Sequence, residues 1–456
     1  MWIYSYVVAV LLFLHSGLLA LTKDHAIQSA IETQLRDIIS SYEISEEDVG
    51  IYIKSLSTGR VIYEKNSNRL FIPASNQKII TTVSALLILG PDFRFETKFL
   101  TDGSIDRSIL KGNVYIVGNF NPEIDQSYYE DFVRFLKYKS IRKIDGDIVA
   151  FSSFFSSPKG WPERDSQYCF TSHPSDLPIS ENCLKVRILS NNGVKIETIP
   201  NMYLDVVSDL KLSKANSDVS LKLERTKLFI TGYIKSRHSQ ELSVPIKEPA
   251  MYNLLTLSKL LHLNGIEFSN LYISNTLPPN LHTLYSKSSS PLRDIIKKAN
   301  KDSNNFIAEQ LFSYIGKEGI LRFLERNRLN FSQLTIYDGS GLSRYNTVSP
   351  KFLGEILEFV YKTPYFEDFF KSLAISGKDG TLKYRFSEPE MFGKIYAKTG
   401  YIKGVKNLSG YAISVDGDVY IFSILVNNLG FTKPANDIQE KVCKILVNSA
   451  QFSKKY

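Results

Sequence analysis

The chain has 456 residues, of which 43% are apolar and 22% charged, values typical of a globular protein with a full-sized hydrophobic core. Its net charge of +8 comes from lysines and arginines scattered along the sequence, and no nucleic-acid-binding motif accompanies them. The composition therefore argues against nucleic-acid binding, and the absence of low-complexity tracts and single-sign charge runs argues against long disordered segments.

The first 22 residues carry no charged side chain and contain a short apolar run, Val7 to Leu14. Small residues follow it, among them Ala20, and Lys23 is the first charged residue of the chain. This pattern predicts an export signal over residues 1–22, with cleavage after Ala20. An uncleaved anchor is the alternative, because about 20 apolar residues are enough to span a bilayer. In either case we expect the body of the protein in the periplasm or cell envelope, with membrane contact limited to this segment.

A β-hairpin and a helix are predicted next. Two apolar runs, Ile51 to Ile53 and Val61 to Tyr63, flank a turn at residues 57–59, which indicates the hairpin. The helix begins near Ser75 and ends at Gly90, and its apolar side chains point in nearly every direction. Such a helix is expected at the centre of a domain rather than on its surface.

The sequence changes character between about residues 92 and 291. Strand-like runs such as 112–118 and 228–232 alternate with turn-rich stretches, and little helix is predicted before Met251 to Leu263. We predict a mostly β insertion over residues 96–284, which is long enough for two subdomains.

Helical and strand patterns return in the last third of the chain. Helices are predicted near residues 292–299, 305–315, 350–362 and 434–450, and strands at 408–415 and 419–427, joined by the turn Asp416-Gly417. Strands thus occur at both ends of the sequence, and we expect them to share one sheet. Residues 23–95 and 285–456 then form one α+β domain, from which the insertion is an excursion.

The three cysteines fall into two groups. Cys169 and Cys183 lie in a loop-like region, where export would allow a disulfide between them, and two free thiols are the alternative. Cys443 lies on a helical pattern among apolar residues and is expected to be a small core residue.

Ser75 and Lys78 lie in the first turn of the predicted central helix. Taken alone, Ser75 is an N-cap, whose hydroxyl accepts from free backbone N–H groups. A capping box would place Glu or Gln three residues later, but Lys78 stands there, and its charge opposes the helix dipole at a cost of about 0.3–1 kcal/mol. Burial and the positive helix end both lower a lysine pKa. A neutral amine one turn from a serine would activate that serine as a nucleophile.

Two further motifs accompany this pair. Ser303-Asn304-Asn305 opens a predicted helix, and Lys398-Thr399-Gly400 ends a predicted strand. Each motif alone is common, the first as a helix cap and the second as a strand running into a turn. All three together, in this order, characterise penicillin-binding proteins and class A β-lactamases.

Longer blocks around these motifs resemble the D-alanyl-D-alanine carboxypeptidase/endopeptidase family of low-molecular-mass, class C penicillin-binding proteins. The blocks are residues 73–91, 300–309, 338–344, 379–382, 398–400 and 408–411. The long interval between Lys78 and Ser303 also resembles this family, which carries extra domains there, whereas class A β-lactamases are not expected to. The resemblance implies the penicillin-binding/β-lactamase-like transpeptidase fold, an antiparallel sheet with helices.

The resemblance also implies catalytic roles in a serine-type D-Ala-D-Ala carboxypeptidase or DD-endopeptidase. Ser75 would attack the peptide carbonyl and carry the acyl group, while Lys78 takes its proton. Ser303 would relay a proton to the leaving amine, and Asn305 would hold Lys78 and the substrate amide. Lys398 would bind the terminal carboxylate, and its positive charge would help to keep Lys78 neutral.

Substrate binding is assigned by the same resemblance to the third motif. Thr399 would bind the carboxylate, Gly400 would let the substrate backbone approach an edge strand, and the backbone N–H groups of Ser75 and Tyr401 would form the oxyanion hole. Two residues depart from the family pattern: Asn304 stands where aspartate is usual, and Tyr401 where a Thr or Ser often follows the glycine. The second change removes a small hydroxyl from the carboxylate end, so substrate preference or rate is expected to differ.

Peptidoglycan stem peptides are the expected substrates, and β-lactams the expected covalent inhibitors. No metal ion or cofactor is expected, because the sequence has no His-rich or Cys-rich ligand spacing. Two alternatives remain open: a β-lactamase, for which we identify no dedicated deacylating glutamate, and a non-catalytic wall-binding protein of the same fold.

Overall fold

The computed structural model describes residues 2–161, 165–191 and 193–453, with the backbone alone for residues 2–20 and for Gln333. The helices are α1 (Trp2–Tyr42), α2 (Gln77–Leu89), α3 (Gln126–Tyr138), α4 (Pro249–Leu263), α5 (Leu292–Lys301), α6 (Asn305–Ile315), α7 (Lys317–Arg326), α8 (Pro350–Tyr361), α9 (Phe366–Ser372) and α10 (Lys433–Val447). The strands are β1 (Val49–Ser55), β2 (Val61–Lys65), β3 (Glu96–Thr101), β4 (Ser104–Asp106), β5 (Ile109–Lys111), β6 (Val114–Val117), β7 (Lys143–Ile144), β8 (Ile148–Phe151), β9 (Cys183–Leu189), β10 (Lys195–Ile199), β11 (Asp205–Ser213), β12 (Asp218–Glu224), β13 (Lys227–Lys235), β14 (Ser239–Pro245), β15 (Leu271–Ser274), β16 (His282–Ser288), β17 (Leu334–Thr335), β18 (Thr347–Val348), β19 (Ala374–Ile375), β20 (Ile395–Ile402), β21 (Val405–Ile413) and β22 (Val419–Val426).

The chain divides into two compact units, and the first contains the described residues of Met1–Pro91, Arg293–Asn304 and Ile315–Tyr456. Its six-stranded sheet has the order β19-β20-β21-β22-β1-β2, and every neighbouring pair is antiparallel. The predicted hairpin β1–β2 therefore pairs with the predicted hairpin β21–β22, and the two ends of the chain share one sheet as expected.

Helices cover both faces of this sheet. On one face, α1 and α10 bury Ile31 and Val442 against strand residues such as Phe422. On the other face lies α8, whose Leu357 carbonyl oxygen accepts a 2.8 Å hydrogen bond from the Tyr411 hydroxyl of β21. Because both faces are covered, β22 is a nearly continuous apolar run without the alternation of a half-exposed strand.

Helix α2 is the buried central helix that the sequence predicts. All ten residues of its first part, 77–86, are buried, and it ends at Gly90, whose φ of +86° favours glycine. Ser75 lies before it, in a 3-10 turn over Ala74–Asn76, and no side chain caps either helix start. The N-cap interpretation of Ser75 is therefore wrong.

The second unit contains Asp92–Leu292 and Asn305–Tyr314. A mixed five-stranded sheet, ordered β15-β8-β6-β3-β16, packs with α3 and α4 around one core, and smaller sheets complete the unit. Helix α3 contradicts the expectation of little helix before residue 251. Tyr128, Phe132 and Leu136 repeat every fourth residue and are buried along one face, but aromatic residues also favour strands, which hid the helical period.

The cysteines occupy defined positions in each unit. Cys169 and Cys183 form a disulfide with an Sγ–Sγ distance of 2.03 Å, which decides against two free thiols. Cys443 is fully buried in α10, as predicted for a core residue.

The N-terminal segment forms one helix with the chain that follows it. The side chains of α1 are described from Leu21 onward, and Ile27, Ile31 and Leu35 are buried against the sheet. The predicted export signal, residues 1–22, lies largely outside the described side chains. Among the residues that the structure describes, no helix combines the length and hydropathy needed to cross a membrane.

Candidate active site

The segment before α2 is tied to the sheet by two asparagines from the end of the chain. The Asn407 amide donates to the carbonyl oxygens of Ile72 and Pro73, at 2.9 and 2.8 Å. Asn427 Oδ1 accepts from the Ile72 N–H at 2.8 Å. These bonds place residues 72–76, and hence Ser75, against β21 and β22.

A close approach of the same segment to β20 requires a glycine in that strand. The Asn76 amide donates to Ser409 Oγ at 2.6 Å. A Cβ at Gly400 would lie 2.7 Å from Asn76 Oδ1 and 2.8 Å from the Pro73 carbonyl oxygen, closer than real Cβ contacts. Position 400 therefore requires a glycine because the nucleophile segment packs so closely against it, in addition to the predicted approach of the substrate backbone.

Ser75 and Lys78 meet as the sequence spacing predicts. Lys78 Nζ lies 2.9 Å from Ser75 Oγ and donates to the Ser340 carbonyl oxygen at 2.8 Å. The Lys78 side chain is fully buried, whereas Ser75 remains partly exposed. The arrangement presents a hydroxyl to solvent with a desolvated amine behind it, which is the geometry of an activated nucleophile.

The turn at residues 338–343 holds the lysine in place. The buried Asp338 carboxylate accepts from the Gly341 N–H at 2.8 Å, the Ser343 N–H at 2.6 Å and the Asn346 amide at 2.6 Å. These bonds close the turn that presents the Ser340 carbonyl to Lys78. The backbone of this turn therefore contributes directly to the surroundings of the Lys78 amine.

Gly341 lets this turn press against the nucleophile segment. Its φ is +86°, and a Cβ there would lie 1.8 Å from the Ala74 carbonyl oxygen. Ala74 itself has a φ of +45°, a left-handed conformation that costs an L-residue about 1–2 kcal/mol. The strained residue before Ser75 is therefore held by its surroundings, as is common near reactive groups.

Lys398 and Ser303 form a second hydroxyl–amine pair. The fully buried Lys398 Nζ donates to Ser303 Oγ at 2.8 Å and to the Thr399 carbonyl oxygen at 2.9 Å. Burial lowers the pKa of Lys398 well below its ordinary value, and repulsion by Lys78 lowers it further. The two lysines therefore resist being protonated together.

The segment that carries Ser303 is anchored to α2. The Asn300 amide donates to Thr82 Oγ1 at 3.1 Å and to Ser372 Oγ at 2.8 Å. Ser303 follows with a φ of +57°, which turns the chain sharply. The segment that carries Ser303 is consequently fixed to the helix that carries Lys78.

Asn305 and Tyr401 each contact a residue outside the three motifs. Asn305 begins α6 in the second unit, where its amide donates to the Phe170 carbonyl oxygen at 2.9 Å, next to the disulfide. Its role toward Lys78 stays a prediction. The Tyr401 ring is 60% exposed and lies 5.3 Å from Lys406 Nζ.

The third motif lies on an open strand edge. Strand β19 pairs with β20 only at Tyr396 and Ala397, so no described strand pairs with residues 398–402 on that side. An extended peptide can add to such an edge by backbone hydrogen bonds. Thr399 and Tyr401 therefore lie on a strand edge that is open to an added strand.

Several residues that build this site were missed in the sequence. Asn407 and Asn427 position the nucleophile segment, and Asn300 anchors the Ser303 segment. One signal existed, because asparagine is depleted in strands and Asn407 interrupts an apolar strand pattern. Its partners were not deducible, since they lie more than 300 residues away along the chain.

A model of the D-Ala-D-Ala carboxypeptidase 3 (S13) family matches residues 31–448. The chain belongs to this family. The S13 membership confirms the predicted resemblance and makes the chain a serine-peptidase family member.

Individual relatives agree with the S13 assignment. D-alanyl-D-alanine carboxypeptidase DacB of Haemophilus influenzae is 28% identical over 408 residues, covering 83% of this chain and 85% of that protein. Penicillin-sensitive carboxypeptidase A of Dictyostelium discoideum is 26% identical over 485 residues, covering 92% of each. The solved structure of penicillin binding protein 4 (dacB) from Haemophilus influenzae superposes with a TM-score of 0.78 at 27% identity, covering 91% of this chain and 99% of that one. The predicted α+β penicillin-binding fold is thereby confirmed.

The lysine pair predicts a shift in pH dependence. We expect Lys398→Met to move the acid limb of the pH profile for serine acylation to higher pH, by roughly one unit or more. The reason is that the charge of Lys398 no longer disfavours the protonated form of the Lys78 amine. The measurement is the second-order rate of labelling by fluorescent penicillin between pH 5 and 10. Lys371→Met, at an exposed surface ion pair, is the matched control. A limb that stays in place, or moves to lower pH, contradicts the electrostatic coupling.

Proposed function

We propose that this protein hydrolyses peptidoglycan stem peptides as a serine-type D-Ala-D-Ala carboxypeptidase, DD-endopeptidase or both, through an acyl-enzyme on Ser75. The observation that carries the proposal is the 2.9 Å approach of the buried Lys78 amine to the partly exposed Ser75 hydroxyl. Membership of the S13 family supports it independently.

The geometry supports a two-stage reaction. In the first stage, Lys78 Nζ accepts the Ser75 proton while Oγ forms a bond to the peptide carbonyl carbon. The C–N bond then breaks as Lys78 gives up that proton, which reaches the leaving amine through the Ser303 hydroxyl, so that Lys78 is neutral again. Lys398 donates to Ser303 Oγ at 2.8 Å and keeps its own proton. In the second stage, water loses a proton to Lys78 while its oxygen bonds to the acyl carbon. The ester bond to Ser75 then breaks, and Lys78 returns the proton to Oγ, which restores the Ser75 hydroxyl.

Binding of the peptide is proposed at the third motif. Lys398 Nζ donates to the Thr399 carbonyl oxygen and would supply positive charge to the terminal carboxylate, with the Thr399 hydroxyl as a hydrogen-bond donor. Backbone N–H groups of Ser75 and Tyr401 are proposed as the oxyanion hole, and Asn305 as the residue that orients the substrate amide. Losing one oxyanion donor typically costs about 10²–10³ in rate.

We further propose that β-lactams acylate Ser75. The Dictyostelium relative carries the name penicillin-sensitive, and penicillin binding protein 4 from Haemophilus influenzae has been solved in complex with a β-lactam. The same hydroxyl and base would open the β-lactam ring, with the ring nitrogen as leaving group. This reaction offers a direct assay of Ser75.

Location and domain organisation complete the proposal. Peptidoglycan lies outside the cytoplasm, so we propose that residues 1–22 direct export to the periplasm or cell envelope, with any membrane contact through that segment. We also propose residues 23–95 and 285–456 as the peptidase domain, and residues 96–284 as an insertion that docks on the wall or shapes the cleft.

The experiment compares three substrates with purified protein. We expect release of D-Ala from a stem pentapeptide, cleavage of cross-linked muropeptides, or both, and a fluorescent penicillin adduct that persists through a denaturing gel. Turnover of the adduct within seconds would favour a β-lactamase. Failure to cleave either peptide and to bind penicillin would identify a non-catalytic binding protein and refute the proposal.

A further inference from the structure

A turn at residues 379–381 connects two of the motif segments in the first unit. The Asp379 carboxylate forms an ion pair with Lys301 and accepts from the Ile375 N–H at 2.9 Å. Gly380 has a φ of +55°, and a Cβ there would lie 2.6 Å from the Lys301 carbonyl oxygen. The turn is therefore held against the segment that leads to the second motif.

The last residue of this turn contacts the third motif. Thr381 is exposed, and its Oγ1 lies 2.9 Å from Thr399 Oγ1. A hydroxyl hydrogen rotates freely to suit its partner. Two hydroxyl groups thus stand side by side on the open edge of β20, each able to turn its proton toward an incoming anion.

Position 401 contributes no small Thr or Ser hydroxyl to the same edge, because a tyrosine stands there. Tyr401 is largely exposed, its ring lies beside Lys406 Nζ, and among the described residues no hydrogen bond joins it to Thr399. A carboxylate presents two oxygens, each of which accepts hydrogen bonds. Thr399 alone would satisfy one of them, and Thr381 stands beside it to satisfy the other.

We propose that Thr381 is a substrate-binding residue that donates its hydroxyl proton to the C-terminal carboxylate of the D-Ala-ended peptide, beside Thr399. The inference rests on the proposed function, because it requires that carboxylate to bind at the third motif. Lys398 supplies the positive charge, and the two hydroxyls orient the two oxygens. The pair thus selects peptides that end in a free carboxylate.

The test uses Thr381→Val with two matched peptides, one ending in D-Ala-D-Ala and the other in the corresponding D-Ala-D-Ala amide. Hydrogen bonds to charged groups contribute enough for us to expect about a 10-fold or greater loss of kcat/KM on the acid peptide. We expect a change of less than about two-fold on the amide peptide, measured at high enzyme concentration. Thr381→Ser, which keeps the hydroxyl, should retain activity on both.

The controls separate this inference from the proposed function. Thr33→Val removes an exposed hydroxyl whose one hydrogen bond among the described residues is to the Ser29 carbonyl oxygen within α1, and it should change neither rate. Melting temperatures check that the variants fold. Wild-type protein that neither cleaves the acid peptide nor binds penicillin defeats the proposed function and this inference with it. If the wild type is active, an unchanged Thr381→Val rate, or an equal loss on acid and amide peptides, overturns the inference alone.

Discussion

Replacing Ser75 with alanine is expected to abolish D-Ala release, cross-link cleavage and penicillin labelling, lowering kcat/KM by about 10⁴-fold or more. The physical reason is that Oγ is the atom that bonds to the substrate carbonyl, and the neighbouring Lys78 amine, 2.9 Å away, then has no hydroxyl to deprotonate. Steady-state peptide assays and gel fluorescence measure both reactions on the same preparation.

Ser84→Ala provides a matched control on the same helix. Ser84 is fully buried in α2, and its hydroxyl has no hydrogen-bond partner among the described residues. Its loss should leave both activities unchanged, because it removes a serine hydroxyl without touching the site. Activity that survives Ser75→Ala would refute the assignment of the nucleophile.

Replacing Lys78 with arginine is expected to slow acylation by about 10³-fold or more, even though the positive charge is retained. A guanidinium does not lose its proton in a protein, so it cannot accept one from Ser75. Lys78→Met should be similarly slow, since it also lacks a basic amine. The rate of penicillin labelling, followed to high pH, measures both variants.

The comparison of the two variants separates base catalysis from simple charge. If Lys78→Arg kept most of the activity while Lys78→Met lost it, the charge at position 78 would matter and the base would lie elsewhere. Lys362→Arg is the control for the substitution itself, because the exposed Lys362 side chain pairs with the half-buried Glu358 of α8 away from the proposed reactive groups. It should not change the labelling rate, and circular dichroism should show that all variants fold.

Local periodicity explains which elements the sequence predicts well. The hairpins β1–β2 and β21–β22 and the buried helix α2 depend on the alternation or spacing of neighbouring side chains, and each was found where predicted. Helix α3 was missed because three of its five buried residues are aromatic, and aromatic residues fit strands as well as helices.

Reactive side chains are also predictable from the sequence where the interacting residues are close to each other along the chain. The spacing of Ser75 and Lys78 places both on one helical turn, and the structure keeps their atoms 2.9 Å apart. The start of the helix differed, because Ser75 lies in a 3-10 turn held by Asn407 and Gly341 rather than capping α2.

The amino-acid sequence by itself determined the family, the fold class and the candidate reactive groups, because these follow from residue types at short and fixed spacings. Only the tertiary structure decided which contacts hold the reactive groups in place. Asparagines of the sheet bind the nucleophile segment, the turn closed by Asp338 contacts Lys78, and Thr381 lies beside Thr399. These contacts join residues far apart along the chain. Such pairings depend on how the strands and helices pack, which local patterns do not encode.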